Sequence, residues 1–244
     1  MKVYAATRKG IHKNRNEDRV LIGSTILAAG EYSWEMPSGI VAVADGVGGN
    51  RAGDAAAQFI CNCLAMKPEI SEGYFQAINQ KLIAVGAEHE SWKGMATTLS
   101  GINFTECGNQ IFHVGNTRIY ALQAGSYLRQ LTEDDTTVNY LVHSGKITEE
   151  EAENYHARSE ITACFGGGDQ KLLRIKRKNI ERNQTYLMTT DGVHEKLSVD
   201  DMEDFFAASQ NYAAVCRNIL DAAVQAGAED DCTVVVVNRS QEYL

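Results

Sequence analysis

The sequence predicts an α+β layered fold with antiparallel sheets and helices packed outside them. Strand-like and helix-like stretches come in blocks rather than in strict β–α alternation, which argues against a doubly wound parallel sheet. The 244 residues include only 2 prolines, and no linker-like tract, low-complexity tract or fixed-period repeat interrupts them. We therefore expect a single domain over residues 1–244.

The first half of the chain divides into elements by apolar periodicity and turn residues. Apolar runs bounded by turn residues indicate strands, whereas apolar positions three and four residues apart indicate helices. The predicted elements are strands at 19–24 and 39–45, helices at 51–65 and 74–92, and short strands at 97–104, 110–116 and 117–123.

The second half begins with a polar segment, 133–156, that is predicted to be helical in two pieces because Ser144-Gly145 breaks it. Asn211 is an N-cap residue and Gly227 a C-cap residue for a helix at 211–227. The remaining predicted elements are strands at 171–180 and 184–191 and a final buried strand at 232–238.

The charge balance excludes several classes of function. The 32 acidic and 23 basic residues give a net charge of -9, which argues against non-specific nucleic-acid binding and against an anionic membrane surface. The stretch MKVYAATRKGIHKN has no apolar export segment, no apolar run is long enough to span a bilayer, and the six cysteines show no pairing pattern. These features predict a cytoplasmic protein without disulfides. An anionic substrate would need local positive charge.

Several carboxylates lie where an apolar run meets a loop. Asp45 and Asp191 each end a predicted strand and precede glycine, Asp231 directly precedes the last strand, and Glu17-Asp18 precedes the strand at 19–24. Because strand ends in a packed sheet converge, these side chains can meet, and clustered carboxylates need a cation. Oxygen ligands suit magnesium or manganese. An Asp-Gly dipeptide is also the commonest hairpin turn, and on the pattern alone a turn remains the more frequent outcome.

Collinear motifs over almost the whole chain resemble the metal-dependent type-2C protein serine/threonine phosphatases, especially their compact bacterial members. Each motif is weak alone, but together they are specific. They are GIHKNRNEDRV, VAVADGVGGNRAGDAAA, GMATTLSGI, HVGNTRIYAL, LTEDDT, LVHSGKITEEEA, HARSEITACFGGG, LMTTDGVHEKL and AEDDCTVVVV.

The resemblance implies a four-layer α/β/β/α sandwich with two Mn²⁺ or Mg²⁺ ions at one end. It implies that a hydroxide bridging the ions attacks the phosphorus of phosphoserine or phosphothreonine in a protein. The implied ligands are Asp45, Asp191 and Asp231 for one ion and Asp45 with the carbonyl of Gly46 for the other, while Glu17 and Asp18 hold metal-bound waters.

Three departures from the family pattern bear on the site. Lys13 stands where an arginine usually contacts phosphate, and Arg15, two residues on, is the alternative contact. Asn116 replaces the aspartate of a third metal site, which we therefore expect to be weak or absent. Val47 stands where many eukaryotic members have a histidine that is a candidate general acid; His194 is another possible proton donor, although a lone histidine is more often structural.

The resemblance also implies a mobile flap over 133–168, in which Ala163 replaces a common arginine. We expect a monomer that acts on a phosphorylated protein, with a serine/threonine kinase as a candidate partner. Because Lys13 and Asn116 depart from the pattern, the alternative is a pseudophosphatase that binds phosphoproteins without turnover. An enzyme that reactivates anti-sigma-factor antagonists would use the same chemistry on a narrower substrate.

Overall fold

A computed structural model describes residues 1–47, 52–123, 126–157, 159–167 and 173–239. Within these ranges the strands are β1 (Lys2–Arg8), β2 (Arg19–Ile22), β3 (Thr25–Leu27), β4 (Gly30–Glu35), β5 (Gly39–Ala44), β6 (Ala96–Thr97), β7 (Leu99–Phe104), β8 (Asn109–Val114), β9 (Arg118–Gln123), β10 (Tyr127–Gln130), β11 (Phe165–Gly166), β12 (Lys176–Ile180), β13 (Thr185–Thr189) and β14 (Cys232–Asn238). The α-helices are α1 (Gly53–Met66), α2 (Glu72–Glu88), α3 (Thr137–His143), α4 (Glu149–Glu153), α5 (Asp191–His194), α6 (Val199–Ala208) and α7 (Tyr212–Gln225), and a 3₁₀ turn spans Glu90–Trp92.

The strands form two large antiparallel sheets and one small ribbon. The first sheet has the order β10-β9-β13-β14-β1-β4, and the second has the order β12-β8-β7-β5-β2-β3. Strands β6 and β11 pair separately. Helices α6 and α7 cover the first sheet, whereas α1 and α2 cover the second. The predicted α+β, four-layer α/β/β/α sandwich is confirmed.

The continuous apolar run of the last strand, β14, is buried on both faces of its sheet. Successive side chains of a strand point to opposite faces. Val235 and Val237 therefore pack between the two sheets, while Val234 and Val236 pack under α7. Both faces are covered, so the alternation of apolar and polar residues seen in half-exposed strands is absent here.

The outer helices each bury one stripe of small and branched side chains. Helix α1 buries Ala56, Ala57, Ile60, Cys61 and Leu64, and α7 buries Val215, Cys216, Ile219, Leu220 and Ala223. Asn211 caps α7 by accepting a hydrogen bond from the amide of Ala214, as predicted, and Gly227 has a left-handed φ of 88° just beyond the helix.

Most predicted elements are present, with three differences. The strand predicted at 171–180 begins at Lys176, and residues 168–172 lie outside the described ranges. Asp191, predicted to end a strand, begins α5 instead. The sequence did not indicate β1, β3, β4, β10, β11, α5 or α6.

The predicted flap segment contains two short helices, α3 and α4, with Gly145 between them at a φ of 68°. The amide of Thr137 donates to the carbonyl of Glu160, which closes the base of the segment. Residues 158 and 168 of the predicted range 133–168 lie outside the described residues. None of the described helices is both long and apolar enough to cross a membrane.

Candidate active site

Strand pairing brings the predicted carboxylates to one end of the sandwich. In the second sheet, Arg19 pairs with Ala44, so Asp18 and Asp45 lie just beyond the paired ends of neighbouring strands β2 and β5. In the first sheet, β13 and β14 pair with Thr189 opposite Val234, which places Asp191 beside the start of β14. The convergence expected from the sequence therefore occurs.

Asp18 joins the two sheets through its side chain. It is fully buried, and its Oδ2 accepts hydrogen bonds from the hydroxyls of Thr190 at 3.0 Å and Thr233 at 2.6 Å. Its Oδ1 has no hydrogen-bond partner among the described residues. Burial raises the pKa of Asp18 to about 8; the hydrogen bonds from Thr233 and Thr190 oppose this rise, and the charges of Asp231 and Asp191 add to it.

Asp45 is held by its backbone rather than by its carboxylate. Its carbonyl accepts from the amide of Thr98 and the hydroxyl of Thr97, both at 2.8 Å, and its amide donates to the Thr98 hydroxyl at 3.1 Å. Burial raises the pKa of Asp45 well above its usual value, and the charges of Asp191, Asp18 and Asp230 raise it further. The free carboxylate thus faces other carboxylates.

Asp191 opens α5 and is contacted by Asn116. The Asn116 amide nitrogen donates to Asp191 Oδ2 at 3.0 Å. Burial raises the pKa of Asp191 to about 6, and the charges of Asp230 and Glu195 add to this, whereas the Asn116 bond opposes it. Asn116 therefore stabilises the charged form of Asp191 without adding a negative charge.

The adjacent residues Asp230 and Asp231 occupy different environments. Asp231 is 2% exposed, and its two oxygens accept from the backbone amides of Gly10 at 2.8 Å and Glu17 at 2.7 Å. Asp230 is exposed, and its charge, unlike that of Asp231, contributes to the raised pKa values of both Asp45 and Asp191. These contacts favour Asp230, not the predicted Asp231, as the third carboxylate of the cluster. Asp231 instead fixes the loop that carries Glu17.

Two basic residues were predicted as alternative phosphate contacts, and the structure separates them. The Lys13 ammonium contacts Glu17 Oε2 at 3.2 Å, Asp231 Oδ2 at 3.1 Å and the carboxylate of Asp230. Burial would lower the pKa of Lys13, but the hydrogen bonds and charges of Asp230 and Asp231 raise it overall. The Arg15 side chain is 79% exposed and pairs at 3.3 Å with Asp54 at the start of α1. Of the two, Lys13 is the one that contacts Glu17, Asp230 and Asp231.

The glycines after Asp45 and Asp191 are required by close backbone packing. A Cβ on Gly46 would lie 2.4 Å from the backbone of Gly53 and 2.9 Å from Glu17 Cβ. A Cβ on Gly192 would lie 2.1 Å from the carbonyl oxygen of Asp231. Substitution at either position would push apart the segments that carry the carboxylates.

His194, predicted as a possible proton donor, is held in a structural contact. Its Nδ1 lies 3.0 Å from the Thr189 hydroxyl, and burial together with the charge of Arg118 lowers its pKa well below the usual value. Val47 donates its amide to the carbonyl of Ala96, and its side chain offers no proton. The geometry therefore supports neither His194 nor Val47 as a general acid.

The acidic cluster has the chemistry of a cation site, although its described side chains are not arranged around a common metal position. Asp18 Oδ1 is buried without a hydrogen-bond partner among the described residues. Burial, and after it the charges of neighbouring carboxylates, raise the pKa of Asp18, Asp45 and Asp191, and a bound cation would stabilise their charged forms. Across the described ranges, no three histidine, cysteine, aspartate or glutamate side chains form a complete metal-binding group. The Lys13 ammonium contacts one oxygen of Asp230, so it would compete with a metal ion for that carboxylate.

The site also contains residues that the motif argument did not single out. Thr190 and Thr233 anchor Asp18, and Arg19 donates to the carbonyls of Asn16 at 2.7 Å and Asp18 at 2.8 Å. In the sequence, a threonine at the end of a buried strand and next to an acidic residue could have indicated such an anchoring residue. This pattern applies to Thr190, which lies between the apolar run of β13 and Asp191.

Comparisons with known proteins identify what the chain is similar to. The family model described as protein phosphatase 2C matches residues 28–226. The serine/threonine protein phosphatase PstP of Mycobacterium tuberculosis is 29% identical over 96% of the chain, and the match spans 44% of that protein. The protein phosphatase PhpP of Streptococcus pneumoniae is 26% identical over 99% of both chains.

A solved structure agrees with these matches. The catalytic domain of PstP in complex with two manganese ions superposes with a TM-score of 0.77 at 26% identity, over 99% of this chain and 100% of that one. The chain spans less than half the length of the full-length PstP of M. tuberculosis.

Proposed function

The chain belongs to the protein phosphatase 2C family, and we propose on this basis that it hydrolyses phosphoserine and phosphothreonine in proteins. Family membership confirms the resemblance seen in the sequence. The single observation that carries the proposal is the convergence of Asp18, Asp45, Asp191 and Asp230 at one end of the sandwich, with raised pKa values for the first three. A repulsive acidic cluster of this kind needs cations.

We propose that the cluster holds two Mn²⁺ or Mg²⁺ ions. Asp45, Asp191 and Asp230 would be direct ligands, the carbonyl of Gly46 a further one, and Glu17 and Asp18 would hold coordinated water. When bound, the ions would supply a water of lowered pKa as nucleophile and neutralise phosphoryl oxygens. This assignment replaces the predicted Asp231 with Asp230, since both oxygens of Asp231 accept backbone amides.

The protein's own side chains position the reacting groups. Lys13, once released from Asp230, is the cation placed to contact a substrate phosphate, and it supplies the local positive charge that a chain of net charge -9 requires. Asn116 orients Asp191, and Asp18 joins the ends of the two sheets. Asp231 holds the amides of Gly10 and Glu17 and thereby fixes the loop on which Lys13 lies.

We further propose that residues 1–244 form one catalytic domain that acts as a cytoplasmic monomer on a phosphoprotein, with a serine/threonine kinase as a partner. Asn116 carries no charge, and this supports a weak third metal site or none.

Hydrolysis of p-nitrophenyl phosphate and of a phosphothreonine peptide, measured with manganese and after chelation, tests the proposal. Asp191→Asn should abolish turnover, while Asp204→Asn, on the exposed face of α6, is the matched control and should retain it. Turnover that survives both chelation and Asp191→Asn would refute the metal-dependent reaction. Manganese binding in calorimetry without turnover of either substrate would support the pseudophosphatase instead.

A further inference from the structure

A groove of about 640 Å³ lies on the α7 side of the first sheet. Its walls are the end of β1 with the loop that follows, the turn between β3 and β4, and α7. Small and apolar side chains line its floor, namely Ala6, Ala28, Ala29 and Leu220. We call it the basic groove because Arg8, Lys9, Arg15 and Arg217 line it against two acidic residues, Glu31 and Asp221.

The positive charge of the basic groove is only partly neutralised. Arg217 forms a two-oxygen pair with Glu31, with Nε 2.8 and 2.9 Å from the two oxygens. The Lys9 ammonium donates to a backbone carbonyl, that of Lys13, at 2.9 Å. Within the described ranges no carboxylate forms an ion pair with Arg8 or Lys9. A local excess of positive charge on a chain of net charge -9 selects for an anionic partner.

The basic groove is connected to the carboxylate cluster by a short chain of hydrogen bonds. Asn16, in its wall, donates to the Thr7 hydroxyl at 2.9 Å, and Thr7 lies 2.7 Å from the Thr233 hydroxyl, which in turn donates to Asp18. Arg15 lines the groove and also pairs with Asp54 of α1, next to the glycine that packs on Gly46. The Lys9 ammonium, which lines the groove, also donates to the carbonyl of Lys13, whose own ammonium contacts Asp230, so one wall of the groove adjoins the cluster.

We propose that the basic groove binds the acidic residues that flank the phosphorylated residue of a protein substrate. The inference rests on the proposed phosphatase activity and specifies its substrate class. A polypeptide whose phosphate lies at the carboxylate cluster would extend into the groove, where its acidic side chains meet Arg8, Lys9 and Arg15. Such contacts at an exposed surface favour one sequence context over another and weaken with salt.

The test compares three phosphothreonine peptides of equal length whose flanking residues are acidic, alanine or basic. The kcat/KM should be about tenfold higher for the acidic than for the alanine peptide at low salt, and the ratio should fall towards one at high salt. Equal values for the three peptides at low salt, or a preference for the basic one, would overturn the proposal.

Charge reversal locates the preference. Arg8→Glu combined with Lys9→Glu should remove the tenfold ratio, whereas Arg129→Glu, on β10 at the opposite edge of the same sheet, should leave it intact. A ratio that survives the double reversal would also overturn the proposal. If the double variant fails to fold by circular dichroism, the salt series on the unmodified chain decides. Absent hydrolysis of p-nitrophenyl phosphate by the unmodified chain would refute the phosphatase activity itself, which is a separate result.

Discussion

The contrast between Asp230 and Asp231 gives the sharpest prediction. Asp231→Ala removes the acceptor for two backbone amides, one of them that of the buried Gly10. An unpaired buried donor costs about 1–3 kcal/mol, so two lost bonds cost about 3 kcal/mol when water satisfies the less buried amide of Glu17. Relief of the repulsion between Asp231 and Asp18 offsets part of this. We expect a net loss of about 2 kcal/mol in the free energy of unfolding.

Asp230→Ala should have the opposite profile. Its side chain is half exposed, and the lost ion pair with Lys13 is worth about 0–1 kcal/mol, which the relief of repulsion on Asp45 and Asp191 offsets. We therefore expect a stability change below about 1 kcal/mol but a large loss of manganese affinity and of turnover.

The assay is urea unfolding of both variants in the presence of a chelator, together with calorimetric titration of manganese. Asp231→Asn is the matched control, since its amide oxygen retains one acceptor and its loss of stability should be smaller than that of Asp231→Ala. Weaker manganese binding by Asp231→Ala than by Asp230→Ala, with equal stabilities, would refute the assignment of the third ligand.

Three further predictions follow from the same geometry. Lys13→Gln removes the ammonium that competes for Asp230, so calorimetry should show tighter manganese binding, while KM for a phosphothreonine peptide rises about tenfold; weaker metal binding would contradict the competition. Gly192→Ala should cost about 1–3 kcal/mol of unfolding free energy because its Cβ meets the Asp231 carbonyl, whereas Gly73→Ala in α2, with open space around it, should be neutral or slightly stabilising; equal effects in urea unfolding would contradict this. The folded-state pKa values of Asp18 and Asp191 are raised, so the chelated protein binds more protons than its unfolded chain between about pH 4 and pH 8. Its stability should therefore fall as pH rises through that window, by about 3 kcal/mol from Asp191 alone, and saturating manganese should reduce the fall; a flat thermal melting profile from pH 5 to pH 8 would count against the raised values.

The layered fold could be predicted because its strands and helices have strong local patterns. The apolar run of β14 and the capped helix α7 were predicted close to their observed bounds. Strands β3 and β4 could not be predicted in this way. All six residues of β4 are exposed at the edge of its sheet, so its pairing with β1 is determined by tertiary contact rather than by burial of an apolar face.

The sequence also indicated that carboxylates would converge, because each lies at a strand end and strand ends meet at the edge of a sheet. Which member of the Asp230-Asp231 pair joins the cluster depends on side-chain direction, which a motif does not specify. Hydrogen bonding, not the motif, separates the two residues in the proposed assignment. Asp231 lies on the same side as Thr233, between the sheets, where it meets the amides of Gly10 and Glu17. Asp230, in the loop before β14, is left to contact the Lys13 ammonium.

The position of the Lys13 ammonium affects both the carboxylate cluster and the proposed binding of substrate phosphate. Bound to Asp230, Asp231 and Glu17, it neutralises part of the charge repulsion among the carboxylates of the protein without metal. A divalent cation held by Asp230 would compete with this ammonium, and a released Lys13 would remain near the cluster, where a phosphate would need a counter-charge. An arginine at this position would bind phosphate through two parallel hydrogen bonds, whereas lysine provides a single compact charge. Lys13→Arg should therefore lower KM for a phosphopeptide while leaving the manganese requirement in place, and an unchanged KM would show that residue 13 does not contact the substrate.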